Sequence, residues 1–124
     1  RAEAERARDA LGEFRLGLAE RRQLLELADR AISELVQRRA EALALLSQLP
    51  WESFTIPGTK EAGGNVKPAI WDNLPEVQER GAKMAADAAA LLAAAKTAEQ
   101  AEIRKAFGDF ARNCKACHDK YKAD

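Results

Sequence analysis

The sequence predicts an all-α fold of four helices, and three observations carry that prediction. Apolar residues recur every three to four positions, the period of a helix face, and no run alternates with the period of two that a strand needs. Proline is absent until Pro50, and Gly12 and Gly17 are the only glycines before it. Residues 85–95 are rich in alanine, which costs a helix least and lets neighbouring elements approach closely. A chain of 124 residues is one domain by length, and no repeat divides it.

The first helix is placed at about residues 3–26, where Leu11, Phe14, Leu18 and Leu25 keep the helical rhythm with Arg and Glu between them. The second is placed at about 30–49, on a stripe of Ile32, Leu35, Val36, Leu43, Leu46 and Leu49, with Asp29 as its N-cap. No glycine or proline lies between residues 20 and 32. Residues 3–49 as a single helix would run for about 70 Å. A small protein gains more by folding two halves onto each other, because isolated helices are marginal without packing. A bend near Leu27–Arg30 is therefore expected, with a continuous helix exchanged between subunits as the alternative.

Residues 51–73 form a long connection. Pro57-Gly58, Gly63-Gly64-Asn65 and Pro68 are turn formers. Trp51, Phe54, Ile56, Ile70 and Trp71 in the same stretch argue that it packs against something. A loop of this length in a compact domain is functional or disordered. Asn73 is read as the cap of a third helix over about 74–96, with Pro75 just inside its start. The fourth helix is placed at about 98–122, where Ile103, Phe107, Phe110, Cys114, Cys117 and Tyr121 alternate spacings of three and four.

Cys114-Lys115-Ala116-Cys117-His118 carries the chemistry. Cys-x-x-Cys-His is the signature for covalent attachment of a c-type haem. Two thiols must reach the two vinyl groups on one porphyrin edge, and the adjacent imidazole must point at the iron. On a helix the two cysteines lie one turn apart on one face. A thioredoxin-like redox pair would need a strand–helix–strand setting that is absent here. Structural zinc needs four ligands, and two cysteines with the only histidine supply three.

Lys plus Arg number 20 and Asp plus Glu number 20, for a formal net charge of zero. That balance points away from nucleic acid. No apolar stretch reaches membrane-spanning length. A chain beginning at Arg1 reads as a processed or excised product. Haem attachment of this type in bacteria takes place outside the cytoplasmic membrane, so a bacterial periplasmic location is expected.

Several blocks in order resemble cytochrome c′ and its low-spin relatives: Leu49-Pro50-Trp51, Pro57-Gly58-Thr59, Lys67-Pro68-Ala69-Ile70-Trp71, Ala106-Phe107-Gly108-Asp109, and the run Asn113 to Lys122. The likeness covers residues 43–122; the first 40 residues match poorly. It implies an antiparallel up-down-up-down four-helix bundle carrying one covalent haem c, attached at Cys114 and Cys117, with His118 as axial ligand to the iron. The family also has an arginine in its first helix near a haem propionate, and a residue about a turn later that covers the open face of the iron. Arg8 with Leu11, or Arg6 with Ala10, fills those positions. Lys122 corresponds to a basic residue over the proximal side of the haem. Lys67 is a further candidate to face a propionate. Phe54, Trp71, Phe110 and Tyr121 are read as haem-packing or core residues. A homodimer through the first two helices is a further implication.

The ligand arithmetic is the chain's own. Beyond His118 there is no second histidine, and the only methionine is Met84 in the third helix, read as a flexible core filler. A five-coordinate, high-spin iron with an apolar distal side follows. An apolar pocket gives bound dioxygen little help, and an unpaired anion there is expensive. The expected ligands are therefore nitric oxide and carbon monoxide, with one-electron exchange also open and an unknown redox partner. No further acid or base is assigned near the iron, so an enzyme is not expected. The rivals are a six-coordinate low-spin electron carrier and a haem sensor domain of a larger membrane protein.

Overall fold

The computed structural model describes residues 1–13, 17–97 and 99–123. The chain is all-α. Its long helices are α1 (Ala2–Glu13), α2 (Leu18–Leu46), α4 (Leu74–Thr97) and α5 (Gln100–Tyr121), and a short α3 spans Thr59–Ala62. Two 3₁₀ turns, Pro50–Thr55 and Pro68–Asn73, flank α3. The only β pairing among the described residues is an isolated antiparallel bridge between Val66 and Lys122. The chain divides into a first unit, Arg1–Leu35, and a second, Val36–Asp124.

In the first unit the break between helices falls earlier than the expected bend. Helix α2 runs unbroken through Leu27–Arg30, so Asp29 is an interior residue and caps nothing. The reason is local. Gly17 opens α2, its carbonyl accepts the Arg21 amide at 3.0 Å, and its own N–H donates to the Glu20 carboxylate at 2.7 Å. A carboxylate three residues in, reaching back to the cap amide, is half of a capping box. Nothing between residues 20 and 32 offers the chain a comparable stop. Leu24, Leu25, Leu27 and Ile32 are exposed.

The second unit begins with the end of α2. Its buried face is Ala40 and Ser47 with Leu43 half-buried between them, rotated from the stripe expected; Leu35, Leu46 and Leu49 are exposed. Helices α4 and α5 form an antiparallel hairpin. Glu76, near the start of α4, meets Tyr121 at the end of α5, and further in Asp87 accepts from Asn113 at 2.7 Å. One buried cluster, Ala40, Ala88, Leu91 and Phe110, joins α2, α4 and α5, with Met84 and Ile103 packed against it. A second, Ile70, Val77 and Tyr121, joins the 68–73 turn to the α4–α5 pair, with Trp51, Phe54, Trp71 and Cys117 around it. Burying the Leu91, Phe110, Ile70 and Val77 side chains stabilises by about 1.5–3 kcal/mol each.

Two further expectations differ. Asn73 does not cap α4; it closes the preceding 3₁₀ turn, and its side-chain amide donates to the Ala69 carbonyl at 2.8 Å. Phe107 is exposed, because the face of α5 that packs is set by Ile103, Ala106 and Phe110. Pro75 does lie inside the first turn of α4.

Candidate haem site

The last three turns of α5 present Cys114, Cys117 and His118 to one apolar cavity of about 380 Å³. Three elements build its walls. The 50–55 turn supplies Pro50, Trp51 and Phe54, the 65–70 segment supplies Val66 and Ile70, and α4 supplies Met84. Tyr121 and Lys122 complete the side nearest the end of α5. His118 also borders a polar recess lined by Asn65, Lys67, Asp119 and Lys122. His118 thus stands where an apolar chamber meets a polar one.

Local structure fixes these walls. Trp51 donates its indole N–H to the Ser47 carbonyl at 2.6 Å, which ties the 50–55 turn to the end of α2. Phe54 meets Trp71 edge-on, with ring centroids 6.2 Å apart, a favourable aromatic geometry. Trp71 donates to the Thr59 hydroxyl at 3.3 Å. The end of α5 is strapped to the loop: the Lys67 amide donates to the Tyr121 carbonyl at 2.7 Å, and the Ala123 amide to the Asn65 carbonyl at 3.0 Å.

One carboxylate organises the neighbouring surface. Glu76 accepts from Lys120 at 2.6 Å, from the Tyr121 hydroxyl at 2.8 Å and from Arg80 at 2.9 Å. The hydrogen bond from Lys120, then those from Tyr121 and Arg80, lower its pKa from 4.5 to about 2. Burial raises the Cys117 thiol pKa, and the nearby Arg80 charge works against that rise. Both cysteines are free, so neither is committed to a disulfide.

The structure gathers Cys114, Cys117, His118, Phe54, Tyr121 and Lys122 around one chamber. Lys67 lines only the polar recess. Trp71 packs behind Phe54 in the second cluster, and Phe110 lies in the first. Arg8 is exposed on α1 in the first unit, and the side chain of Leu11 lies outside the described residues, as does that of Ala10. Sequence reasoning missed Glu76 and Val66, and it read Met84 as a core filler rather than as a wall of the chamber. For Glu76 the sequence held only the local pairing with Arg80 four residues on; its partners Lys120 and Tyr121 lie more than 40 residues away. The Met84 position was legible as a face: it is one turn before Ala88 on α4.

Two thiols and an imidazole on adjacent turns, opening onto an apolar chamber, suit a planar macrocycle bound through its edge and ligated at its metal. This donor set on a helical scaffold defines a c-type haem protein. The sequence profile described as Cytochrome C' matches residues 17–122, and the chain belongs to the cytochrome c′ family, whose cofactor is a covalently bound haem c. The cytochrome c' of Alcaligenes xylosoxydans xylosoxydans is 37% identical over 87 residues, which is 70% of this chain and just under two thirds (66%) of that relative's length. The solved cytochrome c prime from Shewanella frigidimarina superimposes with a TM-score of 0.69 at 34% identity, covering 74% of this chain and 71% of that one. Variants of the Alcaligenes xylosoxidans protein solved with nitric oxide bound and with carbon monoxide bound superimpose with TM-scores of 0.67 at 36% and 35% identity, over 74% of this chain and 70% and 71% of theirs. The fold class is the four-helix bundle of these solved relatives.

Proposed function

We propose that this protein binds nitric oxide and carbon monoxide at a five-coordinate haem c, with Cys114 and Cys117 as the attachment points and His118 as the only protein ligand to the iron. The bound haem supplies an iron that takes a diatomic gas and exchanges one electron. The observation that carries the reading is that the chain's single histidine borders an apolar chamber. The chamber's apolar walls favour an uncharged ligand over an anion. The gas-bound variants of a relative support the same class of ligand. Within this reading Lys122 and Lys67 place positive charge beside His118 in the polar recess, and the chain acts by binding and electron exchange rather than as an enzyme. It works in the bacterial periplasm, where haem of this type is attached. No helix among the described residues is long and apolar enough to cross a membrane. Homodimerisation through the first two helices belongs to the same reading, and the exposed leucines of α2 support it.

A low-spin electron carrier is the second reading, because Met84, the only methionine, lines the chamber. Its packing against Ala88, Leu91 and Phe110 weighs for a wall residue instead. An absorption spectrum of the ferrous protein, before and after nitric oxide, separates the two. A broad high-spin band that changes on adding the gas is expected. A sharp split α/β pair that ignores the gas would overturn the proposal.

A further inference from the structure

The Glu76 carboxylate sits on α4, yet two of its three partners are Lys120 and Tyr121 on α5. Tyr121 is 2% exposed and is held from two directions. Its hydroxyl donates to Glu76 at 2.8 Å, and its carbonyl accepts from Lys67 at 2.7 Å. It lies three residues past His118, on the turn whose last backbone bond runs from the Lys122 amide to the His118 carbonyl at 3.0 Å. A residue pinned at both ends of its side chain and backbone fixes the azimuth of that turn. A phenol with a buried hydroxyl needs a partner, and an ionised acceptor makes that bond stronger than a neutral one would. Lys120 contributes differently. Its ammonium is half-exposed, and an exposed pair adds little.

The geometry points to Glu76 as a positioning residue for the axial imidazole: acting through the Tyr121 hydroxyl, it holds the last turn of α5 in the one rotation that aims His118 into the chamber. This rests on His118 being the iron ligand, as proposed above. Glu76 itself lines neither the chamber nor the recess, so its action is indirect.

Resonance Raman of the ferrous holoprotein reads the iron–imidazole stretch, which reports the orientation and strain of His118. Tyr121→Phe keeps the ring and deletes only the hydroxyl. It should shift and broaden that band, and speed amide hydrogen exchange at Lys67 and Lys122. Lys120→Met removes the surface ion pair and the ammonium that lies 5.0 Å over the Tyr121 ring, and keeps the Tyr121 hydroxyl bond to Glu76. It should leave the band in place. Glu76→Ala should match Tyr121→Phe, and the double variant should be no worse than Glu76→Ala alone, because the two act through one bond. An unshifted band in Tyr121→Phe overturns the inference, and so does an equal shift in Lys120→Met. If Glu76→Ala yields no holoprotein, the comparison of Tyr121→Phe with Lys120→Met decides alone. A wild-type protein lacking an iron–imidazole band would instead overturn the assignment of His118 itself.

Discussion

The indole of Trp51 lies directly against Gly81: a Cβ built on that glycine would stand 2.5 Å from Trp51 Cδ2 and 2.8 Å from Cγ and Cε2. Glycine in mid-helix ordinarily costs about 1 kcal/mol relative to alanine. Here it makes a notch in α4 that seats one wall of the chamber. Trp51 cannot swing away cheaply, since its indole N–H is bonded to the Ser47 carbonyl at 2.6 Å.

Gly81→Ala should therefore destabilise the protein despite the gain in helix propensity. Overpacking costs about 1–3 kcal/mol, which exceeds the propensity gain of about 1 kcal/mol. Denaturant unfolding should show a lower midpoint with an unchanged slope, and the near-ultraviolet dichroism of the tryptophans should change. A variant more stable than wild type would show that the indole is free to move.

Acid should act on the Glu76 cluster with a definite sign. Its folded-state pKa is about 2 against an ordinary 4.5, so unfolding takes up a proton between those values. The stabilisation is complete above about pH 4.5 and is lost as pH falls toward 2. Asp87, lowered from its ordinary 3.8 by Lys83 and then by Asn113, acts in the same direction as pH falls below that value. Thermal melts from pH 6 to 2.5 should therefore fall less steeply below pH 4.5 in Glu76→Gln than in wild type. Parallel curves would show that the carboxylate is not held low in the folded state.

How much of this was legible from sequence depends on range. The helices after residue 73 were readable because each carries its own signals: Pro75 in a first turn, an alanine tract, a regular apolar stripe through Phe110 and Tyr121. Cys114, Cys117 and His118 formed a contiguous motif. The start of α2 carried a local signal that was passed over, Gly17 followed three residues later by Glu20. The Asp29 cap and the Leu27–Arg30 bend were inferred from what a small chain should do, not from residues that turn it. What could not be read were partnerships across the fold. Nothing local to Glu76 marks Tyr121 and Lys120 as its partners, and nothing local to Gly81 marks it as the seat of Trp51.

Met84→Leu tests the coordination reading directly. The swap conserves volume closely and should cost less than about 1.5 kcal/mol, even though Met84 packs against the Phe110 cluster. The ferrous absorption spectrum and the response to nitric oxide should be those of wild type. A conversion from low-spin to high-spin on substitution would identify the thioether as a second axial ligand.

The last expectation concerns α2. Leu18, Leu25 and Ile32 are spaced by sevens, with Leu35 three residues on, and all four are exposed. Apolar residues at the a and d positions of a heptad make the seam of a coiled coil; here they hold the a positions Leu18, Leu25 and Ile32 and the d position Leu35, with Arg21 and Ala28 at the earlier d positions. A seam of this kind on an otherwise charged helix is stabilised only by removing it from water, at about 25 cal/mol per Å² of apolar surface. A second copy of the chain presents the same seam, so self-pairing is the economical closure. Sedimentation of the wild-type holoprotein should give twice the monomer mass at micromolar concentration. Leu25→Glu with Ile32→Glu should give the monomer mass while leaving the haem spectrum intact, because neither residue belongs to the chamber. A wild-type protein that sediments as a monomer would show that this face closes on something other than its own copy.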